Sequence, residues 1–405
     1  MDSTLCCNFA PVNRQYKLYG FTFVNQHLNT NATAAQNKMA LKFQKVRVAK
    51  VVRETNDAIT IHFENPDKTL YNYIPGQYLT LKVEVNGKNY NRAYSLCSSP
   101  VTDETLAVTV KKVSDGLVSS YLNDNLKEGA YIDILPPLGN FVAKLNPNQQ
   151  KHYFLIGAGS GITPLMSILK TALVVEPKSK VTLLYGNRNE DCTIFRSALS
   201  ELAQKYPDRL TVLHSCSQPA PGFVGITGRL TRGKMKEILQ PIIQEESLIK
   251  EYFICGPSAM MDEAGHALRE MYVPAQYVHQ EHFSAPITHP MDEPETPTTT
   301  VSAPGAEDDG KPKKREVTVI LEGEERVITV SPNESILEAA LDNDMDPPYA
   351  CMIGSCCTCK AKLVSGKVIM DDREGLTDEE IREGYILTCQ SHPTTAGVVV
   401  NYDEI

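Results

Sequence analysis

The densest chemistry in this chain lies in Tyr349-Ala350-Cys351-Met352-Ile353-Gly354-Ser355-Cys356-Cys357-Thr358-Cys359, with Cys389 further on. Cys351, Cys356, Cys359 and Cys389 space as C-x4-C-x2-C-x29-C. That is the spacing of a plant-type [2Fe–2S] cluster, with three thiolates on one loop and a fourth arriving from elsewhere. A loop can supply three ligands only if it curls around the metal, which calls for the small residues Gly354, Ser355 and Thr358. Their N–H groups are expected to donate to the cluster sulfurs and tune the potential. Zinc sites usually pair two C-x2-C knuckles, and this segment has one. A cluster moves single electrons, so the rest of the chain should show their source.

Three further stretches carry the types of residue that handle a redox coenzyme. Arg92-Ala93-Tyr94-Ser95 offers a cation for a pyrophosphate, a ring to lie along a flavin and a hydroxyl for the flavin N5 edge. Gly116-Leu117-Val118-Ser119 reads as a turn opening a helix whose N-terminus can hold phosphate. Gly157-Ala158-Gly159-Ser160-Gly161-Ile162-Thr163-Pro164 follows an apolar strand and opens a helix, the context of a dinucleotide glycine loop. Cys255-Gly256-Pro257 ends a later strand, where ligands sit in parallel sheets. Pro75-Gly76-Gln77-Tyr78 and Pro136-Pro137-Leu138-Gly139-Asn140-Phe141 flank the first of these stretches.

The elements around these stretches sort into domains. Residues 1–39 show no sustained period and read as an extension, either upstream of a start at Met39 or a weakly ordered tail. Residues 40–148 read as a small antiparallel β-barrel: Ala58–Phe63, Tyr78–Val85, Tyr90–Leu96, Leu106–Val113 and Tyr131–Leu135 are short β-branched runs, with Asn86-Gly87 a hairpin signal. Residues 149–284 alternate strand and helix and read as an α/β domain on a parallel sheet. Residues 285–314 hold six prolines and read as a flexible linker. Residues 315–405 read as a mixed α+β domain, β-grasp-like. It starts with a hairpin around Glu322-Gly323 and a helix Glu334–Leu341, capped by Ser331 with proline at its first position.

The bulk numbers fit such a multidomain protein. At 405 residues, 42% hydrophobic and 22% charged, the chain has room for roughly two to four globular domains. No apolar run approaches a membrane span. Eleven cysteines with no signal-peptide layout point to a reducing compartment, and cytoplasmic location is the expectation. Residues 315–405 carry 7 Lys/Arg against 18 Asp/Glu, net −11, whereas residues 1–283 carry 30 against 25, net +5. An acidic terminal domain beside a slightly basic body implies electrostatic docking of an electron carrier, or simply solubility. No basic stripe interleaved with aromatics is present, so nucleic acid is not an expected partner.

Taken together, these motifs resemble the ferredoxin–NADP reductase superfamily, in the order flavin domain, nicotinamide domain, C-terminal plant-type ferredoxin domain. The resemblance spans about residues 40–405 and is of the phenylacetyl-CoA epoxidase reductase and 3-ketosteroid hydroxylase reductase type. It implies that Arg92, Tyr94 and Ser95 bind a flavin, with Gly116 and Ser119 at its pyrophosphate. It implies that Gly157, Gly159, Gly161 and Thr163 bind the nicotinamide dinucleotide. Cys255, Gly256 and Pro257 would then lie beside the hydride carbon, with Ser95 and Cys255 as catalytic residues, and Phe283 near the flavin. FAD is expected over FMN. Hydride would pass from NADPH or NADH to the flavin, then electrons singly to the cluster and on to an oxygenase, hydroxylase or desaturase partner. Two departures stand out. Cys357 occupies a position usually held by a small residue. The strand after the glycine loop ends in Asn187-Arg188 rather than in an acid, and an arginine there favours a 2′-phosphate. A non-enzymatic carrier or redox sensor, and the electron-transfer subunit of a dihydroorotate dehydrogenase, are the rival readings.

Overall fold

The barrel begins with β1 (Gln44–Thr55), β2 (Ala58–Phe63), β3 (Tyr78–Val85) and β4 (Lys88–Ser95), and is completed by β5 (Leu106–Lys111) and β6 (Tyr131–Ile134). In the computed structural model, which describes residues 41–64, 72–114, 116–245, 248–283, 299–302 and 312–404, these strands order as β4-β3-β6-β1-β2-β5. All their pairings are antiparallel. A bridge between Leu96 and Val108 links the two edges. The hairpin β3–β4 turns on Asn86-Gly87, both at positive φ, as its two-residue type demands. Helix α1 (Leu117–Asn125) plugs one end of the barrel with Val118 and Leu122 in its apolar core.

The second domain is a six-stranded, wholly parallel sheet. It runs from β7 (Lys151–Ala158), through α2 (Ile162–Val175), β8 (Lys180–Asn187), α3 (Arg196–Lys205), β9 (Leu210–Cys216), β10 (Ile226–Thr227), α4 (Arg232–Glu245), β11 (Ile249–Gly256) and α5 (Ser258–Glu270) to β12 (Val278–His282). The strand order β10-β9-β8-β7-β11-β12 reverses direction of growth between β7 and β11. Such a switch point leaves a crevice at the carboxyl ends of the strands. Central strands such as Tyr153-Phe154-Leu155-Ile156 are buried on both faces, so their sequence is continuous rather than alternating. The face covered by α2 and α3 shares one core with Ala58, Cys97, Ala107, Phe141 and Ala143 of the barrel. This joint core fixes the two domains against each other.

The third domain holds β13 (Thr299–Ser302), β14 (Arg315–Leu321), β15 (Glu324–Val330), α6 (Ile336–Asp342), β16 (Lys360–Ser365), β17 (Lys367–Met370), α7 (Asp378–Arg382), β18 (Tyr385–Leu387), β19 (Ser391–Pro393) and β20 (Val398–Asn401). Two sheets result, β15-β14-β20-β16-β18 and β13-β17-β19. Two expectations need correction. Residues 299–302, inside the expected linker, form a strand paired with β17, and Val301 buries itself in the third domain's core. A β-branched Thr-Thr-Val run supplies what an edge strand needs. The rest of that segment from 285, and residues 1–39, lie outside the described residues. The helix expected from Glu334 begins one half-turn later. Ser331 and Glu334 close only a turn, while Ser335 and Glu338 form the capping box of α6. The sequence holds two consecutive S-x-x-E strings, and the apolar run Ile336, Leu337, Ala339, Ala340 selects the second.

Candidate redox site

A cavity of about 470 Å³ lies where the three domains meet. That size suits a cofactor rather than a solvent molecule. Arg92, Tyr94 and Ser95 of β4 line it, as do Gly116 and Ser119 at the start of α1. Ser160 and Thr163 reach it from the glycine loop, Phe283 from the end of β12, and Cys351 and Cys356 from the third domain. Alternation along β4 turns Ser95 inward and leaves Arg92 exposed at the cavity. The Arg92 guanidinium donates to the Asn91 carbonyl at 2.7 Å and has no carboxylate partner among the described residues. A cation so placed is free to meet an anion, and a helix start beside it adds amide donors.

Beneath the cavity the Ser95 hydroxyl donates to Glu281 Oε2 at 3.2 Å. Glu281 is the in-register neighbour of Cys255 across β11 and β12. Its carboxyl is pushed up to about 8 by burial, with the Ser95 hydrogen bond pulling the other way. It is therefore a neutral acid at pH 7. Cys255 itself is fully buried and does not line the cavity, and burial holds its thiol well above its usual range. What it contributes here is its backbone: a Cβ on Gly161 would lie 2.0 Å from the Cys255 carbonyl oxygen. The glycine thus lets the turn after β7 press onto the end of β11. Gly256 packs on Ala158 in the same way, and Pro257 caps α5.

The four cluster cysteines fall into two pairs. Cys351 hydrogen-bonds with Cys356, a contact that pushes the Cys356 thiol down, and Cys359 hydrogen-bonds with Cys389. A [2Fe–2S] cluster takes two thiolates on each iron. Backbone hydrogen bonds from Gly354 to Cys389 and from Thr358 to Cys356 favour the charged sulfurs. Gly354 sits at φ 78°, packed under Asp372 and Gln390. The donor set and its pairing fit a [2Fe–2S] cluster.

Similarity to known proteins agrees with this geometry. Family profiles match as "Oxidoreductase FAD-binding domain" over residues 45–142, "Oxidoreductase NAD-binding domain" over 155–266 and "2Fe-2S iron-sulfur cluster binding domain" over 319–394. The chain is 38% identical to one of the subunits of 1,2-phenylacetyl-CoA epoxidase from Escherichia coli, over 89% of this chain and 98% of that one. The chain belongs to the ferredoxin–NADP reductase superfamily, in the branch with a C-terminal [2Fe–2S] domain. The ferredoxin reductase component of 3-ketosteroid-9-alpha-monooxygenase from Mycobacterium tuberculosis is also 38% identical, over 89% and 96% of the two chains. Phthalate dioxygenase reductase shares the fold, with a TM-score of 0.54 at 23% identity, covering 89% of this chain and 98% of that one.

Within this reductase fold the structure adds residues that no motif announced. Lys111 lines the flavin-domain cavity, its ammonium 3.8 Å from where a Cβ on Gly159 would lie. A lone lysine at a strand end carries no sequence signal. Glu281 follows no spacing rule either; only its register beside Cys255 finds it. The third domain meets the body through Lys82–Asp346 at 2.7 Å, His282–Glu374 at 3.3 Å and Tyr78 against Thr358 at 2.9 Å. At the far edge of the parallel sheet, Arg196, His214, Glu190 and Phe223 line a second cavity of about 290 Å³. Arg188 is exposed at the end of β8 and is not in that lining. The neighbouring Asn187 buries a side-chain amide with no hydrogen-bond partner among the described residues, which suits a polar ligand at this edge.

Proposed function

We propose that this chain is the reductase component of an oxygenase-type system, drawing electrons from NADPH or NADH and delivering them to a partner oxygenase, hydroxylase or desaturase. The observation that carries the reading is the shared cavity. One space is walled by the Arg92–Ser95 strand, the glycine loop and two of the four cluster cysteines. Bound FAD and a [2Fe–2S] cluster would supply the conversion of a hydride pair into single electrons.

The residues of the chain position and protect that chemistry. Arg92, with Gly116 and Ser119 at the start of α1, would hold a pyrophosphate. Tyr94 would lie along the ring system, and Phe283 would cover it and keep water out. Gly157, Gly159, Gly161 and Thr163 would take the dinucleotide, with Gly256 and Pro257 shaping the pocket from β11. Ser95 and Glu281 both line the cavity and are hydrogen-bonded to each other, so a proton held on the Glu281 carboxyl can reach the cavity directly or through the Ser95 hydroxyl. Cys255 supports this pair as a buried neutral thiol. Arg196 and Arg188 are the cations at the sheet edge available to a 2′-phosphate. The cysteine usage supports a cytoplasmic location.

The test is reduction of cytochrome c by NADPH or NADH with protein loaded with both cofactors. Turnover is expected. Cys351→Ser is expected to lose the cluster's visible absorbance and cytochrome c reduction while flavin bleaching by NAD(P)H survives. A loaded protein that turns over neither coenzyme refutes the reading.

A further inference from the structure

The one loop cysteine outside the ligand set, Cys357, is left without a role by the cluster. Its four neighbours pair with one another, but Cys357 points to the barrel. Its sulfur lies 3.5 Å from the Tyr78 hydroxyl, and the same hydroxyl is 2.9 Å from Thr358 Oγ1. Thr80 Oγ1 stands 3.3 Å from Thr358 Oγ1. All four side chains are buried.

We propose that Cys357 is a docking residue: with Thr358 it receives the Tyr78 hydroxyl and fixes the cluster loop in register on the flavin-binding face of the barrel. This rests on the reading that electrons pass from flavin to cluster.

The barrel side of the contact is built to hold still. Tyr78 opens β3 and pairs in register with Ser95 of the flavin-facing strand. Its N–H donates to the Leu138 carbonyl at 2.8 Å, and the Leu138 N–H returns the bond at 3.0 Å. Its ring lies against the bare face of Gly139. The otherwise unassigned Leu138-Gly139 turn therefore clamps the tyrosine, and the clamp aims the hydroxyl at the third domain. Around it, Ala93 and Leu138 of the barrel pack with Ala350, Cys351, Cys356 and Cys357 as one apolar cluster. A thiol suits the spot because it packs as a small apolar group and still offers a weak donor or acceptor. A shift of the loop by one residue would put a cluster ligand under Tyr78 instead.

Electron transfer falls steeply with misplacement, so Tyr78 and Cys357 act as positioning residues. The experiment uses the protein loaded with both cofactors and compares Cys357→Ala, Cys357→Ser and each in a Tyr78→Phe background. For Cys357→Ala, iron content, cluster spectrum and the rate of flavin reduction by NAD(P)H are expected to match wild type. The flavin-to-cluster rate is expected to fall roughly five- to tenfold, the factor one buried hydrogen bond commands. Without any NAD(P)H, backbone hydrogen exchange at residues 76–80 and 356–360 is expected to quicken together. Cys357→Ser keeps a hydrogen-bonding group and is expected to restore both readouts. In the Tyr78→Phe background the alanine change should add nothing. Loss of iron from Cys357→Ala would make it a ligand and overturn the proposal. So would unchanged exchange and transfer. If wild type itself shows no flavin reduction, the functional reading fails, while hydrogen exchange still decides the docking contact.

Discussion

Replacing Glu281 with glutamine isolates the half-buried acid that Ser95 donates to. The side chains are the same size, and glutamine keeps an acceptor for the Ser95 hydroxyl at 3.2 Å. Burial raises the Glu281 carboxyl from 4.5 to about 8. The native state therefore holds a proton that the unfolded chain has lost between those values. Stability contributed by this group is fully present below about pH 4.5 and declines as pH rises through 8. The slope approaches about 1.4 kcal/mol per pH unit, so from pH 5 to pH 8 wild type loses on the order of 3 kcal/mol from this one group. For a body of this size that is roughly 6–12 °C in melting temperature. The assay is thermal unfolding of the cofactor-loaded protein at pH 5, 6, 7 and 8, read as the difference between wild type and Glu281→Gln. The two should coincide within about 1 kcal/mol near pH 5, where the wild-type acid is already neutral. The glutamine variant should then be progressively more stable by comparison toward pH 8. His62, His214 and His279 are also shifted by burial, but they titrate in both proteins and drop out of the difference. Parallel melting profiles across the whole range would refute a neutral, enclosed Glu281.

Two other outcomes are expected. Arg196→Ala should raise KM for NADPH about tenfold more than for NADH, and Arg188→Ala should do so less, because only Arg196 lines the sheet-edge cavity; equal effects on both coenzymes would remove the 2′-phosphate argument. Gly161→Ala places a Cβ 2.0 Å from the Cys255 carbonyl, so destabilisation of about 2 kcal/mol or more and loss of coenzyme affinity should follow; an unchanged melting temperature and Kd would show that the two strand ends separate freely.

What the sequence made legible was local. Ala58–Phe63 and Tyr78–Val85 match strands residue for residue, because alternation and the Asn86-Gly87 turn act within a few residues. The cysteine spacing was equally readable, since three ligands share one loop. The helix start at Ile336 was missed because two capping strings compete, and only burial of the following apolar run decides between them. Glu281 and Lys111 were invisible for a different reason. Their roles come from register between strands far apart in sequence, and no local periodicity encodes it. The same holds for Cys357, which the sequence marks only as a departure from the usual small residue and which gains a partner only on the barrel surface facing it.

The uneven charge takes on a more specific meaning once the contacts are known. Among the described residues, two acidic side chains of the third domain form ion pairs with the body, Glu322 with Lys42 and Asp346 with Lys82, and Glu374 lies 3.3 Å from His282. Lys42 and Glu322 are 62% and 59% exposed and Asp346 is 69% exposed, and pairs of that kind contribute about 0–1 kcal/mol each. Tyr78 and Cys357, by contrast, are buried in a shared apolar cluster with hydrogen bonds across the seam. Desolvated contacts of this type outweigh exposed pairs and are insensitive to salt. The internal docking is therefore held by the apolar contact and only trimmed by charge. Most of the 18 acidic residues between Arg315 and the C-terminus are not used in it. A net acidic surface not consumed by that docking steers a cationic acceptor by long-range attraction. Added salt should accordingly slow electron delivery to the acceptor far more than it slows transfer inside the chain.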